Sequence, residues 1–379
     1  MRNFWKKLIE IRHSLHSDPE VSGQETRTAE KILNYLKRIG VNRIYENIGG
    51  KGVLAVIEGS KPGKNLLFRA ELDALPLREE NEIAYKSKNK RVAHLCGHDG
   101  HMAILLGIAE LIYRKRNEMS GKTILLFQPA EETAQGAVAV LADKNFKEIK
   151  VDQAFALHNI PGYALGAVLI RNGCFALASR GVIIRLIGAT SHAGEPLNGR
   201  SPTLAMTRII NEIILLPKRY LPLSTDALTT VVYARLGEVA FGTSPGYAEI
   251  MATFRSGKEQ EMKILIQEVE RLIKGQAKLY RLDSEIEHTE IFPVTKNDNR
   301  IVEIVKRAAK KISNEIIQLE APFPWSEDFG YFSRKFPSVL FGFGAGKDHP
   351  SLHNPDYDFP DQIIEPAVKM LYQICLEVL

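Results

Sequence analysis

A chain of 379 residues is longer than one hydrophobic core ordinarily supports, so two domains are expected, at least one large enough to enclose a buried site. Hydrophobic residues make up 45% and charged residues 25%, with no low-complexity tract, a composition that excludes a disordered chain. The formal charge of +5 is modest, and the short basic cluster at Lys86, Lys88, Lys90 and Arg91 has no interleaved aromatics, so it reads as a solvated loop and not as a nucleic-acid surface.

Residues 1–16 have the spacing of an amphipathic helix and lack the apolar core of a signal peptide. No apolar run is long enough to span a bilayer, so the cytoplasm is the expected compartment. The three cysteines, Cys96, Cys174 and Cys375, are too few and too scattered for a disulfide framework and fit a reducing environment. A second helix is expected over 25–39, then buried strands at 52–58 and 66–72. A helix over 99–115, a strand at 123–127, a short helix over 136–141 and a strand at 151–157 follow, an alternation that implies an α/β sheet. From residue 176 the rhythm changes to strand 181–187, helix 201–216, strands 229–236 and 247–254, helix 258–280 and strand 284–289. That is the βαββαβ order of a ferredoxin-like unit. The α/β pattern returns with a helix over 297–312, a strand at 338–343 and a closing helix over 361–379. The expected architecture is one α/β domain, residues 1–176 and 291–379, with a ferredoxin-like α+β domain, 177–290, inserted. The run Gly342-Phe343-Gly344-Ala345-Gly346 lacks the spacing and following helix of a dinucleotide fingerprint and reads as a tight turn.

The densest chemistry lies in His94-Leu95-Cys96-Gly97-His98-Asp99-Gly100-His101, beside an expected helix start. Thiolate and neutral imidazole are the best side-chain ligands for zinc-like ions, and Cys96 and His98 can point into one site from a turn that Gly97 and Gly100 let bend. The structural alternative is a polar loop with Asp99 capping the helix. A second cluster, Gln128-Pro129-Ala130-Glu131-Glu132, follows an apolar strand, where open α/β sheets place their sites. One glutamate as metal ligand and the other as general base is a natural division of labour; two exposed acids opening a helix is the plain alternative. Which glutamate does which stays open on these grounds. His158 ends an apolar strand and His353 lies in a loop beyond a late one, with His349 as its neighbour and competitor. A lone histidine at His158 would more often be structural. Together Cys96, His98, Glu132, His158 and His353 are donors suited to two divalent ions.

These residues resemble the M20 metallopeptidases, in particular the amidohydrolase branch that contains hippurate hydrolases, N-acetyl-diaminopimelate deacetylases and auxin-conjugate hydrolases. The resemblance covers nearly the whole chain. It is carried by Arg12-His13-Ser14-Leu15-His16 with Pro19-Glu20, by Arg69-Ala70-Glu71-Leu72-Asp73-Ala74-Leu75-Pro76, by the Cys96 cluster, by 127–132, by Leu157-His158 and by Leu352-His353-Asn354-Pro355. It implies a zinc-peptidase-like catalytic domain with an inserted lid and dimerisation domain. It further implies a dinuclear site bridged by Cys96 and completed by His98, Glu132, His158 and His353, with Glu131 as general base. In the inserted domain, His192 of Ser191-His192-Ala193-Gly194 matches a histidine that reaches a partner's active site, and Arg255 matches an arginine that binds a substrate carboxylate. By themselves His192 is a loop histidine and Arg255 a strand-end arginine open to a salt bridge. Two positions depart from the branch: Glu71 stands where an aspartate is usual, and Arg180 where an acidic or amide residue is common.

The expected activity is hydrolysis of the amide bond of N-acyl amino acids, with acetyl, benzoyl or similar acyl groups, by a homodimer holding two divalent ions (manganese, zinc, cobalt or nickel). A metal-dependent dipeptidase or carboxypeptidase is the nearest alternative, and a catalytically silent metal-binding homologue is a second. Cys96 as a nucleophile with His98 is disfavoured, because no third residue is placed to orient the pair.

Overall fold

The computed structural model describes residues 2–312 and 314–379, so Met1, the first residue of the expected N-terminal helix, lies outside the described residues. The chain forms two compact units, one of Met1–Phe175, Thr295–Pro322 and Glu327–Leu379, the other of Ala176–Val294 with Phe323–Ser326.

The first unit is built on an eight-stranded mixed sheet in the order Ile44–Ile48, Gly52–Glu58, Ser120–Gln128, Lys61–Glu71, Gln153–Pro161, Ser338–Gly346, Val168–Ile170, Ile316–Gln318. Its four middle strands run parallel. They are buried on both faces in their later halves, which is why the sequence shows continuous apolar runs there and no alternation. Parallel pairing sets Glu71 beside Gln128 and His158 beside Gly342, so the chemistry-bearing side chains leave one edge of the sheet, the carboxyl ends of its strands.

Helix His98–Lys115 is buried almost all round, which removes the polar stripe of an ordinary surface helix. Helices Arg2–His16 and Ile364–Val378 pack against it. Gly107 permits the close crossing: a Cβ there would stand 2.7 Å from both Leu8 and Val368 side-chain carbons.

Two strands run further than their apolar patterns predict. The strand expected to end at 157 continues through His158 to Pro161, and its partner continues to Gly346, because the ladder between them is unbroken from Ser338↔Ala154 to Gly344↔Ile160. The glycines of 342–346 are therefore ladder residues and not a tight turn. At Gly344 a Cβ would lie 1.9 Å from the carbonyl oxygen of Ala164, so only glycine lets that backbone approach.

The second unit is a four-stranded antiparallel sheet, Leu228–Leu236, Tyr247–Ser256, Ala178–Ile187, Asp283–Phe292, with helices Thr203–Tyr220 and Glu259–Leu279. Numbered along the chain the strand order is 2-3-1-4, the ferredoxin-like topology. Alternate residues of Tyr247–Ser256 are buried, the signature of a sheet with one covered face. Among the described residues no helix is long and apolar enough to cross a membrane.

Candidate metal centre

Residues 96–98 turn the chain into the long helix. Gly97 holds φ at 91°, and a Cβ there would meet Asn159 Oδ1 at 2.5 Å, so conformation and space both demand glycine. The helix begins at His98, and Asp99 does not cap it: its carboxylate accepts from His16 Nδ1 at 2.8 Å and faces Arg12 Nε at 2.9 Å.

His98 is fully buried and donates Nδ1–H to the carbonyl oxygen of Asp73 at 2.9 Å, which turns Nε2 towards Glu131 Oε2 at 4.0 Å and Glu132 Oε1 at 3.9 Å. Cys96 Sγ lies 3.6 Å from His158 Nε2, and His353 Nε2 lies 3.9 Å from Glu132 Oε1. Five sets of donor atoms among the described residues fall within 4.8 Å of one another, including Cys96, His98 and His158; Cys96, Glu132 and His353; and His98, Glu131 and Glu132. Cys96, His98 and Glu132 each belong to more than one set, so the sets merge into one cluster. His353 adopts a left-handed φ of 67°, its backbone N–H bonds to Leu95 O, and its side chain is half exposed. Its competitor His349 instead donates Nε2–H to Asp358 O at 2.6 Å.

The electrostatics of this box call for positive charge. Burial pushes the Cys96 thiol up to about 12, with Glu132 adding to the effect, and raises Glu132 to about 7. Burial likewise drives Glu131 well above the usual carboxylate range, helped by Glu327, Glu132 and Asp328, and lowers His158 to about 3. His98 Nε2 and Glu132 Oε1 are buried without a hydrogen-bond partner among the described residues. Burial also opposes charge on His98, but Cys96, Glu71 and Asp73 overcome it and hold this imidazole well above its ordinary value. Neutralised thiol and carboxylates that draw a positive charge onto their neighbour, with inward lone pairs unsatisfied, are the condition a bound cation relieves.

A ring of buried groups around these donors escaped the sequence reading. Asp73 accepts from Ser22 Oγ at 2.7 Å and from the backbone N–H of Glu132 at 3.0 Å, and Glu25 Oε1 accepts from Ala130 N at 2.8 Å. Glu71 pairs with Arg69 and accepts His101 Nδ1–H at 2.6 Å, while His101 Nε2 accepts from Asn159 N at 3.2 Å. The extra methylene of Glu71, relative to the aspartate usual in the resembling branch, lies along this reach to His101. Arg69 also pairs with Glu327 at 2.9 Å and Asp328 at 2.5 Å. Glu71 and Asp73 lie inside the motif that runs from Arg69 to Pro76; Glu327 and Asp328 carry no sequence signal, being 258 and 259 residues from Arg69.

The two remaining predicted site residues belong to the second unit. His192 is exposed on the short strand Ser191–His192, which pairs with Thr243–Ser244, and its Nδ1 accepts from Gly194 N at 3.1 Å. Arg255 donates to Pro324 O and Ser326 Oγ, each at 3.0 Å. Arg180 pairs across the sheet with Phe254, and its Nε is buried without a partner among the described residues.

Residues 67–377 match the description of peptidase family M20/M25/M40. The hippurate hydrolase of Campylobacter jejuni is 30% identical over 371 residues, covering 97% of this chain and 96% of its own length. The N-acetyl-L-cysteine deacetylase of Bacillus subtilis is 32% identical over 368 residues, covering 97% and 87%. Among solved structures, the YXEP protein of Bacillus subtilis, titled a dinuclear metal binding peptidase from the M20 family, superposes with a TM-score of 0.84 at 25% identity, covering 99% of this chain and 98% of its own. A family match over most of the chain, together with the near full-length relatives and the shared two-unit fold, makes this chain a member of peptidase family M20/M25/M40 and a hydrolase acting on amide bonds.

Proposed function

We propose that the protein is a dinuclear metal amidohydrolase that releases amino acids from N-acyl amino acids in the cytoplasm. The observation that carries this reading is the convergence of two donor sets on Cys96, with His98 Nε2 and Glu132 Oε1 buried and unsatisfied between them. In this reading Cys96, His98, Glu132, His158 and His353 hold two divalent cations, and the names of the relatives supply the acyl-amino-acid class. Manganese, zinc, cobalt and nickel all match a thiolate, imidazole and carboxylate donor set. Such ions, when bound, acidify water and polarise an amide carbonyl.

The protein's own residues do the rest. Glu131 takes a proton at its carboxylate as the water oxygen adds to the acyl carbon and the carbonyl oxygen becomes an oxyanion, and then gives that proton to the amide nitrogen, so that the C–N bond breaks as the carbonyl re-forms. Arg255 binds the substrate's carboxylate with its planar guanidinium. His192 of the partner subunit in a homodimer formed through the inserted domain donates to the developing oxyanion, a role its exposed position suits.

The test is metal content by mass spectrometry on chelator-treated and manganese- or zinc-reloaded protein, with hydrolysis of N-acetyl and N-benzoyl amino acids and of dipeptides. Two ions per chain and metal-dependent release of amino acids from the N-acyl set are expected. Faster cleavage of dipeptides would make the protein a dipeptidase, and full metal loading with no turnover on any substrate would make it a silent homologue.

A further inference from the structure

The segment that carries Glu131 is not held by its own local preferences. Residues 130–137 contain two alanines at positive φ, Ala130 at 50° and Ala134 at 58°, a region L-residues avoid. The segment folds back on itself, with Gln135 N and Gly136 N both donating to Ala130 O, at 3.2 and 2.9 Å. What fixes it is a series of three buried carboxylates, each accepting one backbone N–H: Glu25 from Ala130 at 2.8 Å, Asp73 from Glu132 at 3.0 Å and Asp328 from Ala137 at 2.8 Å.

Asp328 differs from the other two. Its carboxylate also accepts from Gln128 Nε2, at 2.7 Å to Oδ2 and 2.9 Å to Oδ1, and from Arg69 Nη2 at 2.5 Å. Those donors come from the carboxyl ends of two parallel strands, Lys61–Glu71 and Ser120–Gln128, and Ala137 lies in the first turn of helix Gly136–Ala142. Asp328 is thus tied to every element that flanks the segment. Its own backbone N–H points at Glu131 Oε1 at 3.4 Å, the oxygen other than the one 4.0 Å from His98 Nε2, and carboxylate oxygens of Glu131, Glu327 and Asp328 lie within 4.8 Å of one another. Arg69 further links Asp328 to Gln128, donating Nε–H to Gln128 Oε1 at 3.0 Å.

We propose that Asp328 is the positioning residue for Glu131: it clamps the 130–137 segment through Gln128, Arg69 and Ala137 and sets the Glu131 carboxylate by its backbone N–H. The catalytic consequence rests on the proposed role of Glu131 as general base; the clamp itself does not.

The bond pattern gives a direct test by reversal of polarity. In Asp328→Asn an amide N–H₂ replaces one of two oxygens that receive donors from Gln128, Arg69 and Ala137, so the donors outnumber acceptors. In Gln128→Glu two carboxylates face each other. In the double variant the new Asn donates its amide to the new Glu and keeps its single oxygen for the N–H of Ala137, Arg69 keeps acceptors on the new Glu and on Glu327, and the net charge of the cluster is that of the wild type. With metal content verified by mass spectrometry, each single variant is expected to lose 10- to 100-fold in kcat, on the order of what a misplaced catalytic group loses, at a KM within about three-fold, and the double to recover most of the loss. Hydrogen exchange of peptides covering 129–137 should rise in the singles and return towards wild type in the double, whether or not any substrate is turned over. Wild-type exchange in Asp328→Asn, or a double variant as loose and as slow as the singles, would overturn the proposal. Loss and rescue of protection in a protein that cleaves none of the substrates would leave the clamp standing and remove the N-acyl amino acid reading instead.

Discussion

In the proposed centre Glu131 and Asp73 act by different means, and each gives a distinct expectation. Glu131 stands with Oε2 4.0 Å from His98 Nε2 and accepts no side-chain hydrogen bond among the described residues, which suits the proton transfer proposed for it. Glu131→Gln is expected to keep both metals and to lose about two to four orders of magnitude in turnover, measured as kcat at verified metal content. Near-normal turnover would remove it from the mechanism. Asp73 acts one step further out: its carbonyl holds Nδ1 of His98, and its carboxylate holds the N–H of Glu132. Groups that orient metal ligands in this way are commonly worth 10- to 100-fold in affinity, so Asp73→Ala, which leaves the backbone carbonyl on His98 but removes the carboxylate from Glu132, should weaken metal binding by about that factor in competition with a chelator. An unchanged affinity would mean that Glu132 keeps its aim without the carboxylate.

Between elements, a buried electrostatic tie joins the N-terminal helix to the helix that starts at His98. His16, at the end of Arg2–His16, is fully buried between Asp99 Oδ2 at 2.8 Å and Glu79 Oε1 at 3.2 Å. Burial alone would lower its pKa, but Asp99 and then Glu79 overcome this and raise it from 6.5 to about 9. A folded-state value above the unfolded one means that this contribution is fully present below pH 6.5 and disappears as pH rises through about 9. A shift of that size corresponds to stability on the order of 3 kcal/mol. In melting experiments across this range the gap between wild type and His16→Gln should narrow steadily with rising pH. A gap independent of pH would show that folding leaves the pKa of His16 unchanged.

At the scale of the whole molecule, the proposed sharing of a site between subunits makes a prediction that no single-chain effect can imitate. Glu131→Gln and His192→Ala should each be nearly inactive alone. Mixed under conditions that allow subunit exchange, they form heterodimers in which one of two sites has both residues, and random exchange gives about a quarter of wild-type activity. No recovery on mixing, with exchange shown by mass labelling, would confine the active site to one chain. The order of elements, the ferredoxin-like insertion and the short-range donors such as Cys96 and His98 were readable from the sequence, because hydrophobic periodicity and local motifs are properties of neighbouring residues. The run of glycines at 342–346 misled for the same reason: glycine marks turns in most local contexts, and only the opposing carbonyl of Ala164 makes it a requirement of the sheet. Tertiary structure alone decided that Asp328 faces Gln128 across 200 residues, that Arg69 gathers Glu71, Glu327 and Asp328, and that Cys96 meets His98 and His158 in one donor set and Glu132 and His353 in another. A buried carboxylate announces itself in a sequence as an ordinary charged residue; its partners, and therefore its purpose, exist only once distant strands have been laid side by side.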